Sequence, residues 1–138
     1  MNSTIKQIKH TFFAFRNGIL ADALRKQTSY EIVFGLQVPQ IAKIARSLKP
    51  SMELADALWH DSKVRESRLL ATYLYPIEEV DLEKAIRLAS EINTVEEADM
   101  LAFRLLKRLP FATSLLSAME SRDDISDYMK KTLRNHLS

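Results

Sequence analysis

The chain has 138 residues, 46% of them hydrophobic and 28% charged, the size and balance of one folded domain rather than of a disordered tail. It contains no cysteine, which excludes disulfides and thiolate metal sites, and His10, His60 and His136 lack any metal-ligand spacing, so no metal or other cofactor is expected. The net charge of +2 is unevenly placed: residues 1–69 carry 11 Lys/Arg against 6 Asp/Glu, and residues 70–138 carry 9 against 12, so the N-terminal half is the part that can attract phosphate.

The first predicted helix, about Ser3 to Arg16, places Ile5, Ile8, Phe12 and Phe15 on one stripe. Lys6, Lys9 and His10 interrupt it, so a secretory leader is not expected. No other apolar run approaches the roughly 20 residues that cross a bilayer. A cytoplasmic protein without a membrane partner is expected. Arg16-Asn17-Gly18 breaks this helix, and a second covers Ile19 to Lys26 with Leu20, Ala23 and Leu24 inward. Residues 28–39 read as a turn or short helix around Gly35 that leads into Pro39, a residue suited to a first helical turn. Ile41, Ile44, Ala45 and Leu48 form the next stripe, which ends near Pro50.

The remaining helices have clearer punctuation. Ser51 caps Met52 to His60, whose apolar residues are Leu54, Ala55, Leu58 and Trp59; Asp61 or Ser62 caps a helix to about Leu74, closed by Pro76. Asp81 caps a helix to about Ile92, and Thr94 with Glu97 forms a capping box for a helix reaching Leu109, stopped by Pro110. Two more helices follow, Phe111–Glu120 and Asp124–Leu137. Two glycines in the whole chain are too few for a hairpin-rich sheet. Helix starts near 51 and 62, 81 and 94, and 111 and 124 recur at an offset of about 30 residues. The predicted fold is therefore all-α, a HEAT-like α-solenoid of short antiparallel helix pairs forming a single domain over residues 1–138, with an irregular helical bundle as the alternative.

Three places carry candidate chemistry. Lys63, Arg65 and Arg68 lie near a predicted helix start, where backbone N–H groups and cations together can hold phosphate; the alternative is a solvated face whose arginine stems cover apolar surface. Trp59, the sole tryptophan, either plugs the core between helix pairs or stacks on a base. Asp99 sits at the edge of an otherwise apolar helical stripe, with no lysine or arginine three or four residues away on either side. A carboxylate so placed is a candidate site, or an acid that the helix macrodipole favours in its first turns.

The segment from Gly35 to Ala45, Gly-Leu-Gln-Val-Pro-Gln-Ile-Ala-Lys-Ile-Ala, resembles the opening segment of the DNA alkylation repair family, the AlkD-like HEAT-repeat proteins. Leu58-Trp59 followed by Arg65-Glu66 and Leu70-Ala71 resembles that family's next repeat, and the stretch from Thr94 to Asp99 resembles the start of its catalytic helix. The resemblance runs over about residues 30 to 109. It implies a solenoid that grips duplex DNA on a basic concave face, and hydrolytic release of N3- or N7-alkylated purines without a deep base pocket. It makes Asp99 the catalytic carboxylate, stabilising the oxocarbenium-like sugar as the base leaves. Lys43, Arg46, Trp59, Lys63, Arg65 and Arg68 become the DNA-binding candidates.

Two departures separate binding from catalysis. Val95 stands where the family has a tryptophan four residues before the aspartate, and no tryptophan follows Trp59. Arg134 lies in the region from which the family supplies an arginine. The alternative from another class is a HEAT-like scaffold whose groove binds a protein segment, without DNA or catalysis.

Overall fold

A computed structural model describes residues 2–26, 28 and 30–138; Ser29, within the segment expected to be a turn, lies outside the described residues. Every regular element among the described residues is helical, and one isolated parallel bridge joins Ile32 to Val64. The all-α expectation holds. The chain divides into two compact units, Met1–Leu74 and Tyr75–Ser138.

The first unit contains α1 (Asn2–Ala14), α2 (Gly18–Arg25), α3 (Val38–Arg46), α4 (Met52–Trp59) and α5 (Arg65–Leu74). Side-chain caps set two of these helix starts: Asn17 Oδ1 accepts from the Leu20 N–H at 3.1 Å, and Ser51 Oγ from the Leu54 N–H at 3.0 Å. Helix α3 opens differently, with the Gln37 N–H donating to Gln40 Oε1 at 2.8 Å ahead of Pro39. Helices α3 and α4 both pack on α5. Ile41, Ile44 and Ala45 of α3 and Leu54, Ala55, Leu58 and Trp59 of α4 form much of the buried surface around it. Helix α5 is buried on every side from Arg65 through Thr72, so its arginines and glutamate are interior groups.

Helix α5 starts at Arg65, later than the expected Asp61 or Ser62 cap, because the chain just before it is bound sideways. Ile32 N–H donates to the Lys63 carbonyl at 3.0 Å, and the Arg65 N–H donates to the Ile32 carbonyl at 3.1 Å. The Asp61 carboxylate instead accepts from Ser67 Oγ at 2.7 Å and pairs with Lys9 at 3.1 Å. The loop that contains Ile32 turns at Gly35, the position with a positive φ, +86°. A Cβ there would lie 2.3 Å from the Asn17 carbonyl oxygen and 2.8 Å from the Ala21 nitrogen. Only glycine satisfies both the backbone angle and the contact with α2. The same contact buries Ala21; Leu24 packs against that cluster as expected and Leu20 is half-buried, whereas Ala23 is exposed rather than inward.

The second unit contains α6 (Leu82–Ser90), α7 (Val95–Arg104), α8 (Ala112–Glu120) and α9 (Asp127–Leu137), with short 3-10 turns at Ile77–Glu79 and Leu106–Arg108. Helix α6 packs on α8, α7 on α9, and α8 on α9. Asp81 Oδ1 caps α6 at the Lys84 N–H, and Thr94 Oγ1 caps α7 at the Glu97 N–H. Helix α7 ends five residues before the expected Leu109. Pro110 has no N–H to offer the Leu106 carbonyl, which accepts from Leu109 at 3.2 Å in a tighter turn. Helix α9 starts at Asp127 under a Ser126 cap, while Asp124 is held in a two-point contact with Arg122 at 2.8 and 2.9 Å. The hydrogen bonds from Arg122 hold the Asp124 carboxyl below its usual range.

Gly35→Ala is expected to destabilise the protein by roughly 2–4 kcal/mol, from a disfavoured φ and a backbone clash together. Gly18 is the control: no atom lies within 4 Å of a Cβ added there, so Gly18→Ala should be neutral or stabilising by up to about 1 kcal/mol. Urea unfolding of the two variants beside the parent measures both effects.

Candidate functional site

The six DNA-binding candidates all belong to the first unit, and Asp99 belongs to the second. The first unit sorts the six into two groups by exposure. Trp59 is 0% exposed, and Arg65 and Arg68 are each 3% exposed. The Arg68 guanidinium carbon lies 3.7 Å from the Trp59 ring centroid, and Arg68 Nη1 donates to the Trp59 carbonyl at 2.9 Å. This pair stacks inside the unit, where desolvation strengthens the attraction. Arg65 Nη1 donates to the Leu36 carbonyl and to Glu66 Oε2, both at 2.8 Å.

These contacts correct the expectation that Arg65 and Arg68 line a surface reachable by phosphate, and that Trp59 stacks on a base. All three are spent on holding the unit together. The expected free N–H groups at the start of α5 are also engaged at Arg65, whose N–H is bonded to Ile32.

The residue that organises this region was missed in the sequence. Glu66 is 0% exposed, and three successive backbone N–H groups converge on its carboxylate: Phe34 at 3.0 Å, Gly35 at 3.0 Å and Leu36 at 3.3 Å. With the Arg65 guanidinium added, a buried anion is neutralised and solvated entirely from inside the chain. The only sequence signal was a glutamate beside an arginine, next to a run of apolar residues, some 30 residues after a glycine.

Lys43, Arg46 and Lys63 are exposed. Lys43 and Arg46 occupy the last turn of α3, where cations also complement the helix dipole. Lys43 borders a shallow groove of about 340 Å³ with Thr11, Phe15, Gln40, Ile44 and Ser47. Lys63 Nζ lies 3.8 Å from Glu31 Oε1, a surface pair of small energetic value.

In the second unit, α7 presents Asp99 outward. The Thr94 cap and the buried Glu97 set this orientation: Glu97 is 0% exposed and accepts from the Asn93 N–H at 3.0 Å, which ties the first turn down on one side. Ala98, Leu101 and Ala102 then face the core and Asp99 faces away. The Asp99 carboxylate has no hydrogen bond or ion pair with any described residue. Val95, one turn before it, and Phe103, one turn after it, are exposed as well. Arg134 on α9 is engaged by Glu120, through contacts of 2.8–3.2 Å to both carboxylate oxygens. Among the described residues, no group of three or more His, Cys, Asp or Glu is placed to hold a metal ion, and no helix is long and apolar enough to cross a membrane.

The sole tryptophan reports on its own burial. Emission of the folded protein should be blue-shifted and insensitive to iodide, and saturating duplex DNA should leave it unquenched. Arg68→Ala should red-shift the emission and lower stability by roughly 2–4 kcal/mol, because it removes a buried hydrogen bond to the Trp59 carbonyl and opens a cavity over the ring.

Comparison with protein-family models matches residues 14–131 to the family described as DNA alkylation repair enzyme. Neither the curated proteins nor the solved structures compared with the chain gave a match.

Proposed function

The chain belongs to the DNA alkylation repair enzyme family, and from that premise we propose that it binds duplex DNA through Lys43, Arg46 and Lys63 and uses Asp99 to assist hydrolytic release of alkylated purines. The observation that carries the reading is the Asp99 carboxylate itself. It is exposed, free of hydrogen bonds and ion pairs with the described residues, and placed on a helix whose start resembles the family's catalytic segment.

The chemistry suits a lone carboxylate. An N3- or N7-alkylated purine carries positive charge, so the C1′–N bond can break with its electron pair passing to the base, which leaves neutral. Positive charge then develops on the sugar, and a carboxylate held beside it stabilises that charge without transferring a proton. Water adds to C1′ and loses a proton, leaving an abasic site. The three exposed cations supply phosphate contacts, which position the duplex without reading its sequence.

The HEAT-like solenoid is part of this proposal. The packing of α6 on α8 and α7 on α9, each helix against the next but one, is the pattern expected of two stacked helical layers. The family match spans residues 14–131 and so includes residues of both units, which supports reading them as one domain.

A protein-binding scaffold is the second reading, favoured by one observation. Phe13, Phe15 and Ile19 of the first unit are exposed, and Phe15 lines the groove beside Lys43. That reading requires a partner segment in the groove and no retention on DNA.

Two measurements test the proposal. Duplex affinity should fall with salt, and the slope of log K against log salt should become shallower by about 0.9 for each phosphate neighbour removed, one apiece in Lys43→Gln, Arg46→Gln and Lys63→Gln. Affinity that does not change with salt rules out the phosphate contacts. Purine release from methylated duplex should slow by roughly a hundredfold in Asp99→Asn. Equal release by both proteins removes Asp99 from its role, and no release by the parent removes the enzymatic reading.

A further inference from the structure

The surface one turn beyond Asp99 has an unusual composition. Phe103 is 46% exposed although its neighbours Leu101, Ala102, Leu105 and Leu106 are all fully buried. A single exposed aromatic is ordinary, but this ring is surrounded by cationic and titratable groups. Lys107 Nζ lies 4.1 Å from the ring centroid, the Arg104 guanidinium carbon 5.7 Å away, and the His136 ring 5.9 Å away at a tilt of 51°. Lys107 has no ion pair with a carboxylate among the described residues. Its positive charge rests against an aromatic face and is not cancelled by an acid.

Asp99, Phe103 and Lys107 thus follow one another at four-residue spacing as a carboxylate, a ring and an ammonium. The Pro110-induced tightening at Leu106–Arg108 leaves Lys107 above the ring. A ring beside an uncompensated cation is the combination that holds a nucleotide whose base is out of the stack: the base lies on the ring, and the cation meets the phosphate. We propose that Phe103 and Lys107 form a contact for an unpaired nucleotide of bound duplex DNA, with Phe103 about one helical turn from Asp99. This rests on the DNA-binding reading above and adds to it a preference for disrupted duplex. Because Lys107 already occupies the ring's vicinity, the contact selects an exposed base and gains nothing from positive charge on that base. It differs from the tryptophan-based stacking that the family resemblance implies.

The test uses the full chain and two fluorescein-labelled duplexes, one fully paired and one carrying a single unpaired deoxyadenosine, followed by anisotropy. The parent should bind the bulged duplex about fivefold or more tightly than the paired one. Phe103→Ala should abolish that preference while keeping the parent's affinity for the paired duplex, and Phe103→Trp should retain it. In Phe103→Trp, the added exposed tryptophan should be quenched by the bulged duplex more than by the paired one, a signal that the buried Trp59 does not supply. Lys107→Gln should weaken binding of both duplexes and make their salt dependence shallower. The proposal is overturned if the parent binds both duplexes equally, or if Phe103→Ala keeps the preference; in either case the DNA-binding reading stands. Absence of binding to both duplexes by the parent overturns that reading and this one together.

Discussion

The carboxylate of Glu66 is the group around which the first unit is assembled. It lies in the interior, where an ionised acid is costly unless it is fully hydrogen-bonded and paired. The loop from Phe34 to Leu36 meets that demand with three backbone N–H groups, and Arg65 adds a guanidinium that also binds the Leu36 carbonyl. The arrangement needs the loop to bend sharply and to lie against α2, and both requirements fall on Gly35. One buried anion therefore dictates a glycine, fixes the loop that leads into α3, and holds α5 as the central helix. Its removal would leave three amides and a guanidinium without their shared acceptor.

This interior use of charge reduces the positive charge that the basic N-terminal half can offer to a phosphate. The net excess in residues 1–69 includes Arg65 and Arg68, and neither is at the surface. Arg68 stacks on Trp59, and Arg65 serves the Glu66 cluster. Counting cations along the sequence overstates the field available to a phosphate, because a guanidinium that is buried and hydrogen-bonded cannot also release counterions from a duplex. Of the five cations singled out for DNA, Lys43 and Arg46 at one helix end and Lys63 beside Glu31 are left outside, together with the exposed Lys6, Arg16, Arg25, Lys26 and Lys49. Phosphate contacts from so few positions would carry a shallow salt dependence, because its slope scales with the number of phosphates neutralised.

Much of the fold was legible because helix ends are local. Ser51, Asp81 and Thr94 cap the helices that their positions predicted, and Pro110 acts close to where it was expected to stop the chain. The missed boundaries have non-local causes. Ser62 does not start α5, because Ile32, some 30 residues earlier, holds the backbone at Lys63 and Arg65. The run from Arg65 to Arg68 reads as a solvated face because such charged runs usually are one. What turned it inward was packing by α3 and α4 together with the loop, and no periodicity within α5 records that. Asp99 was legible for the opposite reason: its exposure follows from the register of a single, well-capped amphipathic helix.

That register also explains why α7 presents an exposed carboxylate between Val95 and Phe103. Glu97 and Asp99 are two residues apart, so a helix turns them about 200° from each other. With Glu97 drawn in to the Asn93 N–H, Asp99 must point out, and Val95 and Phe103 at four-residue spacing follow it. The buried acid thus sets the direction of the exposed one. Val95 leaves the N-terminal side of Asp99 open where an aromatic wall would otherwise stand, while Phe103 supplies a ring on the C-terminal side. Phe103, two turns beyond Val95 on the same face, carries the exposed ring of this surface, and Lys107 Nζ lies 4.1 Å from its centroid.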